Sequence, residues 1–183
     1  DVCICMTHDC VPYDRNLVKE LLEALDASER VAAAYARQLP AADCGVIERY
    51  TRDFNYPAVS RLKGKEDEDE LGIKTYFCSN VCAAYDHKIY NEIGGFPEHA
   101  IFNEDMIYAG WMVKKGYGVA YVAEARVYHS HNYSCAQQFH RNFDLGVSQA
   151  EHPEIFASVK SEGEGIRLVK QTFRYLISRG KIW

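Results

Sequence analysis

No apolar run in this chain approaches the roughly 20 residues that a membrane-spanning helix needs, which excludes a bundle of spanning helices, and no signal-type segment is present. Basic residues are in the minority, with 21 Lys and Arg against 26 Asp and Glu and a formal charge of −5. That balance argues against a broad nucleic-acid footprint. The chain has no internal repeat and none of the paired cysteine spacings of a zinc ribbon. Its seven cysteines (3, 5, 10, 44, 78, 82 and 135) are odd in number and mostly embedded in apolar segments. They are expected to be buried free thiols in a reducing compartment, which predicts a cytoplasmic protein.

What is present suffices for one domain, because 183 residues that are 48% hydrophobic can bury a core. DVCICMT (1–7) is short and apolar and predicts a strand buried on both faces. A helix is expected from Pro12, with Leu17, Val18, Leu21, Leu22 and Leu25 at helical spacing. RVAAAYARQLP (30–40) predicts a second strand, and this order of elements argues for an α/β fold. Residues 39–75 show little periodicity. Within them IERYTRDFNYP (47–57) reads as an ordered loop on the substrate side, and KEDEDE (65–70) as a solvated face. DHKIYNEI (86–93) predicts a short helix closed by Gly94 and Gly95. Residues 101–116 predict a helix capped by Asn103 and ended by Gly116, followed by one or two strands over 117–134. SCAQ (134–137) is a capping box opening a helix with Phe139, Phe143 and Val147 on one side. A last amphipathic helix spans roughly 164–178.

Three places carry chemistry: Asp9 after a strand, Glu104-Asp105 at a helix start, and HSHN (129–132) after a strand. Each also has a plain structural explanation. Asp9 suits a turn before Pro12, the two acids suit the positive end of a helix dipole (worth about 0.3–1 kcal/mol), and a lone His after a strand is commonly structural. In an open α/β sheet, however, ligands gather at the carboxyl ends of strands, where Asp9 and His129 are both expected. One carboxylate and one imidazole make a partial shell for a divalent cation that leaves positions for phosphate oxygens.

The stretches THDCVPYD, ARQLP, IERYTRDFNYP, GIKTYFCSNVCAAY, IGGFPEHAIFNEDM, GYGVAYVAEARVYHSHNYS and QQFHRNFDLGV run in family order over nearly all of residues 1–155. In them the chain resembles the carboxyl-terminal two thirds of a family 2 glycosyltransferase with the GT-A fold, most of all the bacterial rhamnosyltransferase branch. The resemblance implies a GT-A-like (Rossmann-like) α/β fold, a mixed sheet flanked by helices and incomplete on its amino-terminal side, over 1–155, with 156–183 as an amphipathic helical extension. It places Asp9 at the last, metal-contacting acid of the family's D-x-D motif. Thr7 stands where that motif has its first acid, so metal binding rests on Asp9. Asp105 matches the general base, with Glu104 beside it. His129 matches the histidine that completes the site for Mg2+ or Mn2+, and His131 is the second candidate. Asn80, Gly94, Gly95 and Phe96 would form the acceptor side, the alternative being an ordinary strand and turn. Arg126 and Arg141 would face phosphate or acceptor anions, or else pair at the surface.

These roles imply single-displacement, inverting transfer from a nucleotide-diphosphate sugar, with dTDP-L-rhamnose suggested as donor and a cell-surface polysaccharide or lipopolysaccharide as acceptor. Family members carry an amino-terminal strand, a Thr-x-Asn-like turn and base-binding helices ahead of this region. A chain starting at Asp1 is therefore expected to bind donor poorly, to be inactive alone, and to self-associate through exposed strand edges. The last helix, with Lys170, Arg174, Arg179 and Lys181 beside Ile166, Val169, Phe173, Leu176 and Ile177, either lies on an anionic membrane at the inner face of the cell or packs onto the domain. Two competing readings remain. A metal-dependent hydrolase built from Asp9, Glu104, Asp105, His129 and His131 would release free sugar or phosphate without an acceptor, although no H-E-x-x-H motif is present. A non-catalytic glycan-binding module would use some of the 13 tyrosines as stacking platforms.

Overall fold

The computed structural model describes residues 1–159 and 162–181; the rest of the expected 156–183 extension lies outside the described residues. The alanine-rich strand β3 (Val31–Leu39) forms the middle of the sheet and is buried on both faces from Val31 to Ala36. It lies between β5 (Cys82–Asp86) and β6 (Gly118–Tyr128). The sheet runs β1 (Val2–Met6), β5, β3, β6, β2 (Val11–Pro12), and β4 (Arg61–Lys63) also pairs with β6. Only β3 and β6 are parallel; the other pairs are antiparallel. The mixed sheet flanked by helices is thus present, in the form of an incomplete GT-A-like fold.

Side chains alternate across β3, so each face collects its own helices. On one face α1 (Leu17–Asp26) packs Leu17, Leu21 and Leu25 against Ala34, Ala36, Val122 and Val127, each leucine contributing about 2 kcal/mol of transfer free energy. On the other, α4 (His87–Ile93), α5 (Glu104–Lys114) and the short α7 (Pro153–Phe156) close over Tyr35, Tyr85 and Tyr121, with Ile107, Tyr108, Met112 and Ile155 at the centre. Alanines at 32–34 and 36 leave room for the large tyrosines beside them.

Several expectations need correction. Strand β1 is not buried on both faces: Val2, Ile4 and Met6 are exposed, because β1 is an edge that pairs only with β5. Pro12 ends the two-residue strand β2, and the helix begins five residues later with Val18 turned to solvent. IERYTRDFNYP is not a loop but the helix α2 (Val46–Asn55), supported by an i,i+4 pair between Glu48 and Arg52 at 2.7 Å. KEDEDE is a 3₁₀ turn running into α3 (Glu68–Leu71), largely solvated, with Arg61 paired to Asp67 and Glu70. In α6 (Cys135–Glu151) the Ser134–Gln137 capping box forms as expected, and Phe139 and Phe143 stack on one side of the helix, exposed to solvent. The final helix is α8 (Glu162–Ser178). Only three cysteines, Cys10, Cys78 and Cys82, are buried; Cys3 and Cys135 are exposed.

Candidate active site

The topology gathers chemistry at one end of the sheet. Strands β1, β3 and β6 deliver Asp9, Gln38 and His129 at their carboxyl ends, while antiparallel β5 begins there with Ser79-Asn80 just ahead of it. The Thr7 N–H donates to the Val81 carbonyl (3.1 Å), and the His129 N–H to the Leu39 carbonyl (3.0 Å), which pins both turns to their neighbours.

Asp9, His129 and His131 converge. The Nε2 atoms of the two histidines are 3.1 Å apart, each lies 3.5 Å from Asp9 Oδ2, and one ligand atom from each residue falls within 4.8 Å of the others. The sequence left open which histidine belongs with Asp9, and both do. The donor set fits a divalent cation, since nitrogen and oxygen ligands bind such ions at roughly 2.0–2.2 Å and these atoms are close enough to share one. Burial, reinforced by Arg52 and His131, pushes His129 down to about 4, leaving it neutral near pH 7 as a ligand must be. The Thr7 hydroxyl contributes most to holding the Asp9 carboxyl below the usual carboxylate range, with the two imidazoles acting in the same direction against partial burial.

Behind the histidines is a brace that sequence reasoning missed. Gln38, 2% exposed, accepts at Oε1 from His129 Nδ1 (2.8 Å), which directs Nε2 toward Asp9. Its Nε2 donates to Ser79 Oγ (2.9 Å). Arg52 on α2 donates to the same Gln38 oxygen and through Nε to Glu48 (2.7 Å), and Glu48 accepts the His131 N–H (3.2 Å). Gln38 was given no role within ARQLP, and Arg52 lay in what looked like a loop. Alternation in β3 was the available signal: it places Gln38 on the Ala34–Ala36 side, where a buried amide needs a partner.

The second cluster begins one residue beyond Ser79. The Asn80 N–H donates to Asp105 Oδ2 (3.0 Å) and its side-chain amide to Glu104 Oε1 (3.0 Å), while Tyr85 OH donates to Asn80 Oδ1 (2.7 Å). Asp105 also accepts the Met106 N–H (2.8 Å). Burial, with Glu104 adding repulsion, raises Asp105 to about 6 against the pull of those N–H groups. It is still mostly ionised at neutral pH and close to the range useful to a base. Asn103 does not cap α5 with its side chain. It sits at φ 48°, ψ 39° with both amide atoms buried and unpartnered, a strained residue directly before the two acids.

The remaining candidates are placed less directly. Gly94 and Gly95 turn the chain after α4, and Phe96 packs on Tyr85, Tyr90 and Tyr108, buttressing the tyrosine that holds Asn80. Arg126 does not stand open for phosphate: Asp14 accepts from it at 3.0 Å and its guanidinium lies 3.9 Å from the Tyr13 ring centroid. Arg141 stacks over Phe102 and Tyr133.

The cation-competent cluster and the raised carboxyl thus both stand at one end of an incomplete GT-A-like sheet. No family model matches the chain. Over its full length it is 41% identical to the O-antigen chain rhamnosyltransferase WbaN of Salmonella anatum and 42% identical to the O-antigen chain rhamnosyltransferase RfbN of Salmonella typhimurium. It spans 58% of the length of each. Along its whole length the chain is thus similar to proteins named as bacterial O-antigen rhamnosyltransferases.

Proposed function

We propose that the protein carrying these residues transfers L-rhamnose from dTDP-L-rhamnose, with inversion, to a growing cell-surface polysaccharide. The observation that carries the reading is the joining of the two clusters at one sheet end. His129, Gln38 and Ser79 are linked by hydrogen bonds, and the adjoining Asn80 holds Asp105 and Glu104. Asp9, His129 and His131 would hold the divalent cation, which when bound neutralises charge on the departing diphosphate. Asp105 takes the proton from the acceptor hydroxyl as the new glycosidic bond forms, and burial, with Glu104 adding to it, keeps its pKa high enough to do so. Asn80, fixed by Tyr85, orients both acids toward the acceptor side.

With Asp105 as the base and Glu104 tied to the Asn80 amide, no carboxylate is assigned as nucleophile, which suits single displacement. Mn2+ suits a site of two imidazoles and one carboxylate better than Mg2+, which favours an all-oxygen shell. The chain described here, spanning 58% of its relatives, is proposed to be inactive alone.

The test is a donor screen on the full-length protein, comparing dTDP-L-rhamnose with UDP-sugars, with and without glycan acceptor. Rhamnosyl transfer that requires acceptor supports the reading. Release of free sugar without acceptor would establish the hydrolase instead, and saturable glycan binding with no turnover the binding module.

A further inference from the structure

Helix α8 is mounted the opposite way round from an ordinary amphipathic helix. Its contacts with the domain are polar and aromatic: Tyr175 stacks on Tyr50 (centroids 4.6 Å apart), Gln171 accepts from Tyr50 OH (3.1 Å), and Glu164 pairs with Lys74 (3.1 Å). At 100° per residue, Glu164, Leu168, Gln171 and Tyr175 share one side. Ile166, Val169, Phe173 and Ile177 centre on the side opposite, and these four are 56, 69, 61 and 42% exposed. The apolar stripe therefore faces outward while the helix remains docked. Lys170, Arg174 and Arg167 flank it on one side.

Charge identifies the occupant. From Ile166 to Lys181 the chain carries Arg167, Lys170, Arg174, Arg179 and Lys181 and no acidic residue, within a protein whose formal charge is −5. Arg167 is paired to Glu164 (2.8 Å) and Arg179 lies over Tyr175, but Lys170, Arg174 and Lys181 have no ion pair among the described residues. A second copy docking through the same stripe would bring these cations face to face. An anionic bilayer surface accepts both the stripe and the charges. No helix among the described residues is long and apolar enough to cross a membrane, so the contact is interfacial.

We propose that the outward face of α8 lies on an anionic phospholipid surface, inserting Ile166, Val169, Phe173 and Ile177 and setting Lys170, Arg174 and Lys181 against lipid headgroups. This is independent of the chemistry at the sheet end, and its assay has no catalytic readout.

The experiment is flotation of the full-length protein with vesicles of phosphatidylcholine alone and vesicles enriched in phosphatidylglycerol. Binding is expected only to the anionic vesicles and should weaken with salt. Phe173→Glu should abolish it and Phe173→Leu should retain it. Removing Lys170 and Arg174 together should lower partitioning at least tenfold, at about fivefold per charge. Thermal unfolding of Phe173→Glu without lipid should match the wild type, because the residue already faces out. The proposal is overturned if anionic vesicles do not bind, if Phe173→Glu disperses an oligomer rather than releasing lipid, or if that variant unfolds earlier without lipid, which would mean that protein covers the stripe.

Discussion

Replacing Asp105 by Asn separates what the base costs the fold from what it does. Its carboxyl is raised from 3.8 to about 6, so above that pH the ionised form disfavours folding by about 3 kcal/mol relative to an unperturbed acid. The sign follows from proton binding. A folded state that holds the proton more tightly than the unfolded one is favoured below about pH 4, and the advantage fades as pH rises through 6. Asn carries no charge, so it lacks this dependence. It loses one acceptor, however, because either the Asn80 or the Met106 N–H then faces its NH2 group, at about 1 kcal/mol irrespective of pH. Asp105→Asn should therefore be more stable than wild type near pH 7.5 by about 2 kcal/mol or somewhat less, since solvent screens a half-buried acid. That is a Tm gain of roughly 4–8 °C for a domain of this size. By about pH 4.5 most of the gain should be gone. Thermal or urea unfolding of both proteins at the two pH values measures it. A difference that does not change with pH, or a wild type more stable near pH 7.5, would refute the assigned burial cost.

Other consequences follow from the same geometry. The rate of transfer should rise with pH through about 6, and Glu104→Gln should move that limb to lower pH by removing a neighbouring negative charge; a pH–rate profile of kcat/KM checks both. Gln38→Leu should weaken divalent-cation affinity about 10–100-fold and shift the tautomer balance of His129 seen by nitrogen NMR, whereas loss of folding alone would leave neither signature separable from lowered Tm. Gly110→Ala should destabilise by about 1–3 kcal/mol, because the added methyl would come within 2.4 Å of Ile155 Cγ2; pairing it with Ile155→Ala should recover part of the loss in urea unfolding.

Much of this architecture was legible in the chain. Local signals carried it: the Ala-rich strand, the Ser134 cap, the Gly94 turn and the leucine spacing of α1 all act within a few residues. Failures arose where distant residues decide. Whether DVCICMT is buried depends on its neighbours in the sheet, and here there is only one. IERYTRDFNYP looked irregular because α2 offers α8 an aromatic and charged face rather than an apolar one. The same holds for the site. Asp9, His129 and Asp105 were recognisable by type and position, while Gln38 and Arg52 matter only because β3 and α2 arrive behind His129. Arg126 was ambiguous until Asp14 and Tyr13 were seen to occupy it.

The central claim is that one cluster holds cation and donor while the other activates the acceptor. It is tested most directly by titrating dTDP-L-rhamnose into the full-length protein with Mn2+ present, comparing Asp9→Ala with Asp105→Asn and measuring transfer in parallel. The account predicts that Asp9→Ala loses cation-dependent donor binding, and that Asp105→Asn keeps donor binding close to wild type while transfer falls by about 10²–10⁴. Undiminished transfer by Asp105→Asn, or cation-dependent donor binding that survives in Asp9→Ala, would contradict it.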